Sequence, residues 1–234
     1  MGISMINICI GYEKNQSVAF HVLCDSIIKR SSLPVRICPV NLGNLKSIFN
    51  RPIDPQQSTE FAFSRFISNV LFPGEWVIYM DCDMLCMTDI AKLWNLRDEN
   101  KHVMIVQHSS RDWTKNGTLF TKFKNQRQYN YPCKNWSSLM LLNGTHYTIN
   151  SLRYTMLQDA ESQSGEFLHQ FKWVKPDKLG TLPPEWNYLV GYDNSIDITP
   201  SIIHYTLGGP WFEEFKNCEF AHEWHNEYKD MLQL

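Results

Sequence analysis

Asp81 and Asp83 stand one residue apart where an apolar run, Trp76-Val77-Ile78-Tyr79-Met80, comes to an end. Five consecutive apolar or aromatic residues read as a strand buried on both faces. Burying a lone carboxylate is costly, so two acids at such a strand's end need a reason. On an extended backbone, residues i and i+2 share a face. Two hard oxygen ligands then point the same way, and a divalent cation would hold them there. In open α/β sheets the carboxyl ends of strands are also where ligands bind. The plainer reading is that the acids cap a turn or the next helix. His204 is the candidate third ligand. It lies in Ile202-Ile203-His204-Tyr205-Thr206, just before Gly208-Gly209-Pro210; without a metal it would be a hydrogen-bonded core residue. Two oxygens and one nitrogen suit manganese better than zinc or calcium, with magnesium as the alternative hard cation. Such a site leaves coordination positions open for a diphosphate.

The elements that would position these residues follow from the hydrophobic pattern. Residues 5–10 read as a strand closed by Gly11-Tyr12. From Asn15 or Ser17 a helical pattern runs through Val18, Ala19, Val22, Leu23, Ile27 and Ile28. Residues 35–40 form a second strand and 51–57 a Pro-containing loop. Ser58 or Thr59 then caps a helix that buries Phe61, Phe66, Ile67, Val70 and Leu71. Pro73-Gly74 breaks it before the Trp76 strand. Beyond Asp83 the pattern predicts a helix at 90–96 and a strand at 103–106. A loop-rich excursion at 111–134 follows, then a strand at 138–142 and the start of a helix at 152–157. The stretch 167–184 reads as irregular and 202–206 as a last strand. The spacing of Phe215, Phe220, Trp224, Tyr228 and Met231 predicts an amphipathic terminal helix over 212–232. Strand–helix alternation without repeat or linker implies one α/β domain over 1–234, a layered sheet with helices on its faces.

The 234 residues suffice for a core without disulfides or metals. A net charge of −2 argues against a nucleic-acid face. Seven cysteines with no CxxC pair argue against structural zinc and for a reducing compartment. No stretch reaches the ~20 apolar residues of a membrane span. The N-terminus lacks a signal peptide's basic flank and apolar core, so a cytoplasmic location is expected. The glycosylation sequons at Asn15, Asn116, Asn135 and Asn143 then read as chance matches.

Six ordered blocks, covering most of the chain, resemble the GT-A-fold glycosyltransferases. The likeness is to family 8, which takes in glycogenin-like and bacterial lipopolysaccharide galactosyltransferase-like enzymes. Ile8-Cys9-Ile10-Gly11-Tyr12 is similar to the family's first strand and nucleotide-binding turn. The segment from Phe63-Ser64-Arg65-Phe66 to Leu71-Phe72-Pro73 is similar to its arginine-bearing helix. Val77 to Asp83 resembles its Asp-x-Asp strand, and Asn135-Trp136-Ser137-Ser138-Leu139-Met140-Leu141-Leu142-Asn143 its donor- and acceptor-facing strand. Leu182-Pro183-Pro184-Glu185-Trp186-Asn187 and His204 to Trp211 resemble its two C-terminal signatures.

The resemblance implies a GT-A, Rossmann-like fold with a mixed central sheet and helices on both faces. It implies transfer of a sugar from a nucleotide donor, with uridine the expected base, to a hydroxyl of a glycan or other acceptor. Asp81 would contact the ribose near the metal, Asp83 would ligate the metal, and His204 would be the third ligand. Gly11 and Tyr12 would hold the nucleobase, Tyr12 by stacking. Arg65 would bind donor phosphate or stabilise the acids. Ser137 or Ser138 would face the donor sugar, and Gly208 and Gly209 would line the same site. The metal would act as a Lewis acid on the departing diphosphate.

Two departures from the family pattern matter. The last signature is one residue short and lacks its diphosphate-binding lysine, so a cationic clamp falls to Lys14 or Arg65 or is absent. Where the family often carries Asp-Gln-Asp, this chain has Gly165-Glu166-Phe167-Leu168-His169. Glu166 is therefore a candidate general base on the acceptor hydroxyl, or an exposed loop acid. Trp173, Trp186 and Trp211 could form an acceptor platform or serve as core aromatics. Asn187 could serve an acceptor site or cap a turn. Lys122, Lys124 and Arg127 could form a lid or a solvated loop. Two rival functions stand beside the transferase: a sugar-nucleotide nucleotidyltransferase, for which 11–16 lacks a glycine-rich basic loop, and a non-catalytic carbohydrate- or nucleotide-binding domain.

Overall fold

The computed structural model describes residues 5–49, 51, 59–108, 114–115, 118–119, 133–146, 152, 164–193 and 197–233. Its first half alternates strand and helix: β1 (Ile6–Gly11), α1 (Ser17–Arg30), β2 (Val35–Val40), α2 (Ser68–Leu71) and β3 (Trp76–Met80). β4 (Met84–Cys86), α3 (Ile90–Trp94) and β5 (Val103–Ile105) follow, then a small antiparallel pair, β6 (Thr114–Lys115) and β7 (Thr118–Leu119). The remainder supplies β8 (Leu139–Asn143), α4 (Gly165–His169), β9 (Leu179–Thr181), β10 (Tyr188–Leu189), β11 (Ile202–His204) and α5 (Ala221–Leu232).

Six strands pair in the order β2-β1-β3-β8-β5-β9. β8 runs antiparallel to both neighbours, while β2-β1-β3 and β5-β9 are parallel. This is the mixed sheet expected. Its period-two alternation sorts side chains into two cores. Ile6, Ile8, Ile10, Ile78, Met80, Leu139 and Leu141 face α1 and α3 through Phe20, Leu23, Ile27, Ile90 and Leu93. Cys9, Val77, Tyr79, Met140, Leu142, Val103 and Ile105 face the other way, onto Phe63, Phe66, Ile67 and Leu168. Helical segments thus cover both faces, as parallel strands buried on two sides require.

A second sheet, β10-β11-β4, stands beside the first. Only Asp81, Cys82 and Asp83 separate β3 in the large sheet from β4 in the small one. The acidic pair is therefore the hinge where the chain changes sheets.

Three elements depart from the sequence pattern. The helix expected from Ser58 or Thr59 is a turn at Thr59, then a 3₁₀ turn (Ser64–Ile67) that runs into the single turn of α2; Ser58 lies outside the described residues. Ser64, Arg65, Phe66 and Ile67 are all buried. No solvent face remains to sustain an amphipathic helix, and packing holds the segment. The terminal helix starts at Ala221 rather than near Phe212, because Phe220 takes a left-handed conformation (φ 58°). Phe215, counted into the helical stripe, instead packs on Gly208, and Tyr205 Oη binds the Phe220 carbonyl at 2.8 Å. The stretch read as irregular contains β9 and the end of α4, a short helix capped by Ser164, whose hydroxyl accepts from Phe167 N at 3.0 Å. Of 152–157, Leu152 alone is described; it is helical and buried. Lys122, Lys124 and Arg127 lie outside the described residues, as does Asn116.

Candidate active site and metal centre

The strand register brings the functional segments into one row. Ile10 of β1 is opposite Met80 of β3, and Met80 is opposite Leu139 of β8. One step further along lie Gly11, Asp81 and Ser138, with Asp81 N donating to the Ser138 carbonyl at 2.9 Å. The Gly11-Tyr12 turn and the acids thus leave the carboxyl ends of neighbouring parallel strands, where α/β sheets bind ligands. From the second sheet, β11 runs antiparallel to β4 with His204 opposite Met84. Tyr205 N extends that ladder by donating to the Asp83 carbonyl at 2.9 Å.

Asp81, Asp83 and His204 converge. Their ligand atoms lie within 4.8 Å of one another, and the residues are 7%, 4% and 1% exposed. Ligands on opposite sides of a hard cation sit roughly 4.2 Å apart at bond lengths of ~2.1 Å, so slight closure would seat an ion. Two carboxylates and an imidazole nitrogen are an appropriate donor set for one. Burial pushes the Asp81 carboxyl above its usual range; the Arg65 charge opposes this and the Asp83 charge adds to it. A divalent cation between two carboxylates would relieve that repulsion.

The orientation of His204 is set by Asn187. Asn187 Nδ2 donates to Ser138 Oγ at 3.0 Å and to the Asn135 carbonyl at 3.3 Å. Its Oδ1 is thereby left to accept from His204 Nδ1 at 2.9 Å. With the proton on Nδ1, the Nε2 lone pair faces Asp83 Oδ1, 3.4 Å away. Two acceptors facing each other in a buried place are a pair that a metal ion between them would join. Asn187 thus stands behind the histidine as the partner that fixes a metal-binding tautomer. Asn135 anchors the same network: it sits in the left-handed region (φ 64°), and its carbonyl also accepts from Ser138 Oγ at 2.6 Å.

A second chain of bonds runs behind Asp81. Tyr79 and Asp81 share a face, so Tyr79 Oη donates to Asp81 Oδ1 at 2.8 Å; burial raises the phenol and keeps it a neutral donor. Arg65 Nη2 reaches Asp81 Oδ2 at 3.3 Å, and Nη1 donates to Ser137 Oγ at 3.0 Å. Ser137 Oγ is 2.9 Å from His169 Nδ1. Burial, then Arg65 and Arg51, lower His169 to about 3, so its ring is neutral at physiological pH. Arg65 thus contacts Asp81, one of the two acids. Gly11 makes this packing possible: a Cβ there would lie 2.7 Å from Tyr79 Oη and from the Phe61 ring.

The other expected residues are more dispersed. Tyr12 is half-buried, edge-on to Phe20 at 5.3 Å, and Lys14 is exposed. Both serine hydroxyls are engaged in internal bonds. Gly208 needs its φ of 136°, and Gly209 lies buried against Trp211. Glu166 is exposed and paired with Lys172, apart from the Asp81–Asp83–His204 cluster in its bonding. Trp186, Trp173 and Trp211 go to three different core clusters. The sequence reading missed the parts of Tyr79 and His169. Tyr79 was discoverable from its i−2 spacing to Asp81; His169 was not, since its partner Ser137 lies 32 residues away.

Comparison with known proteins agrees with this geometry. The sequence pattern of glycosyl transferase family 8 matches residues 13–214. Protein CDI of Arabidopsis thaliana is 38% identical over 230 residues, covering 95% of this chain and 86% of that protein. The galactosyltransferase LgtC, solved with donor and acceptor sugar analogues, shares the fold at a TM-score of 0.56 and 13% identity, with 96% of each chain covered. The bifunctional glycosyltransferase WbbM aligns at a TM-score of 0.63 and 16% identity; 98% of this chain spans 51% of WbbM, about half its length. A mixed sheet of the GT-A type, the acidic hinge and these matches lead to one conclusion: the chain belongs to glycosyl transferase family 8 and is a glycosyltransferase.

Proposed function

We propose that this glycosyltransferase moves a sugar from a nucleoside-diphosphate donor, with uridine as the base, to a hydroxyl of a glycan or other acceptor. The observation that carries this reading is the buried Asp81–Asp83–His204 cluster beside the Gly11-Tyr12 turn. These three side chains would hold Mn2+ or Mg2+, which when bound supplies Lewis-acid neutralisation of charge on the departing diphosphate. Arg65 and Tyr79 hold Asp81 in place, and Asn187 holds His204. Tyr12 would offer its ring to the base, and Lys14 is the exposed cation nearest in sequence to that turn. Gly208 and Gly209 follow His204 closely and would border the diphosphate, with Ser137 and Ser138 behind the sugar. Glu166 stays the candidate base on the acceptor hydroxyl. Its support is its place on α4, whose His169 enters the Ser137–Arg65–Asp81 chain.

The test is release of nucleoside diphosphate from a panel of sugar nucleotides, with and without Mn2+. Wild-type protein turns over at least one donor, and EDTA stops it. Asp83→Asn lowers turnover on the order of 10²–10³-fold with an unchanged circular dichroism spectrum; unaltered turnover removes the metal assignment. Tight donor binding without turnover would instead favour a binding domain. Glu166→Gln slows transfer about 10²-fold or more while donor affinity holds; near-normal transfer removes its role as base.

A further inference from the structure

Cys9 on β1 and Cys38 on β2 are direct partners in the parallel register. Neighbouring strands lie about 4.8 Å apart, inside the ~4.4–6.8 Å range of Cα separations that a disulfide spans. In-register residues on parallel strands send their side chains to the same face, so the two sulfurs are neighbours. Cys9 is fully buried, while Cys38 is half-exposed on the edge strand. A disulfide needs its Cβ atoms about 3.8 Å apart, so the strands must close by roughly 1 Å. An edge strand paired on one side can do this, and Pro39, beside Cys38, contributes no ladder donor.

The two thiols are also chemically unequal. The hydrogen bond with Cys9 draws Cys38 down to about 7 against the effect of burial. Cys9 is raised well above the ordinary thiol value, first by burial and then by Cys38. Burial raises the other five cysteines too. Cys38 alone combines access with thiolate character.

We propose that Cys9 and Cys38 are a redox-reactive dithiol, a modification site at the sheet edge that a peroxide converts to an intrachain disulfide. The Cys38 thiolate attacks one peroxide oxygen, the O–O bond breaks, and water leaves after proton uptake, with Cys38 oxidised to sulfenic acid. The Cys9 sulfur attacks that sulfur; the S–O bond breaks, Cys9 gives up its proton, and a second water departs. A small-molecule dithiol returns both residues to thiols. The pair lies behind the site already described. Cys9 Sγ points at the Ser68 carbonyl at 3.9 Å, and Ser68 Oγ binds the Arg65 carbonyl at 2.8 Å. The dithiol does not depend on the donor or the metal proposed above.

The full chain is treated with hydrogen peroxide at pH 7, alkylated under denaturing conditions and mapped by mass spectrometry. A Cys9–Cys38 cross-linked peptide pair appears, about 2 Da lighter than the two free peptides, and dithiothreitol reverses it. Cys38 in the untreated protein takes up iodoacetamide at least about 10-fold faster than any other cysteine. Cys38→Ser abolishes the cross-link, and Cys9→Ala leaves Cys38 trappable by dimedone as sulfenic acid. Because replacing the buried Cys9 risks the fold, the wild-type map decides by itself. Another pair linking first, or Cys38 oxidised to sulfinic acid while Cys9 remains alkylatable, overturns the proposal.

Discussion

A histidine binds a metal through one ring nitrogen, so the partner of the other nitrogen decides whether it is ready to do so. For His204 that partner is Asn187, whose amide direction is itself set by Ser138 and Asn135. Asn187→Ala removes the acceptor and frees the ring to rotate. We expect Mn2+ affinity, measured by isothermal titration calorimetry, to fall about 10–100-fold with the fold retained. Affinity unchanged within twofold would mean that packing alone orients His204. Asn187 was legible in the sequence as a polar residue worth weighing. Its function was not, because its partners lie 17 and 49 positions away. The Asp81–Asp83 spacing, by contrast, was readable at once, since it is local.

Among the elements, α5 shows how little spacing alone specifies. Its aromatic stripe pointed correctly to a docked terminal helix, and Trp224 stacks on Tyr228 at 5.3 Å and lies against Trp211 at 5.4 Å. The start was misread because Phe215 and Phe220 are used in turns next to β11. What fixes α5 to α1 is Glu227, which is buried and accepts from Arg30 Nη2 at 2.5 Å and Lys29 Nζ at 3.1 Å. Burial pushes the Glu227 carboxyl up, but these hydrogen bonds outweigh it and hold it below the ordinary glutamate value of 4.5. A depressed folded-state value means that the stabilisation is complete above pH 4.5 and is lost as pH falls through the folded value. Glu227→Gln should cost about 1–3 kcal/mol at pH 7. The difference from wild type in urea denaturation should shrink toward zero as pH falls from 4.5 through the depressed folded value. A pH-independent difference would show that the carboxylate charge is not what holds the helix.

At the scale of the whole molecule, the candidate metal site joins two sheets. Asp81 ends the large sheet, Asp83 begins the small one, and His204 reaches in from β11. An ion held by all three binds the folded chain alone, so it should raise stability by RT ln(1 + [L]/Kd), about 2.7 kcal/mol at a hundredfold excess over Kd. For a chain of this size that is a Tm rise of roughly 5–10 °C with Mn2+. Scanning fluorimetry should find the rise in wild type and lose it in Asp83→Asn. An equal rise in both would place the ion elsewhere.

The sequence by itself determined the strand–helix alternation, the two-faced apolar strands and the acids at the end of β3. Each of these is written in neighbouring residues as period, burial and charge. It also held enough ordered blocks to suggest family 8. Only the tertiary structure decided that Asp81 and Asp83 straddle two sheets, that Arg65 pairs with Asp81, and that Asn187 aims His204. It also decided that Glu166 lies in solvent against Lys172. These relations depend on strand order and register, which join residues far apart in the chain. Local pattern places a residue on the inner or outer face of its own element, and packing alone selects the partner it meets there.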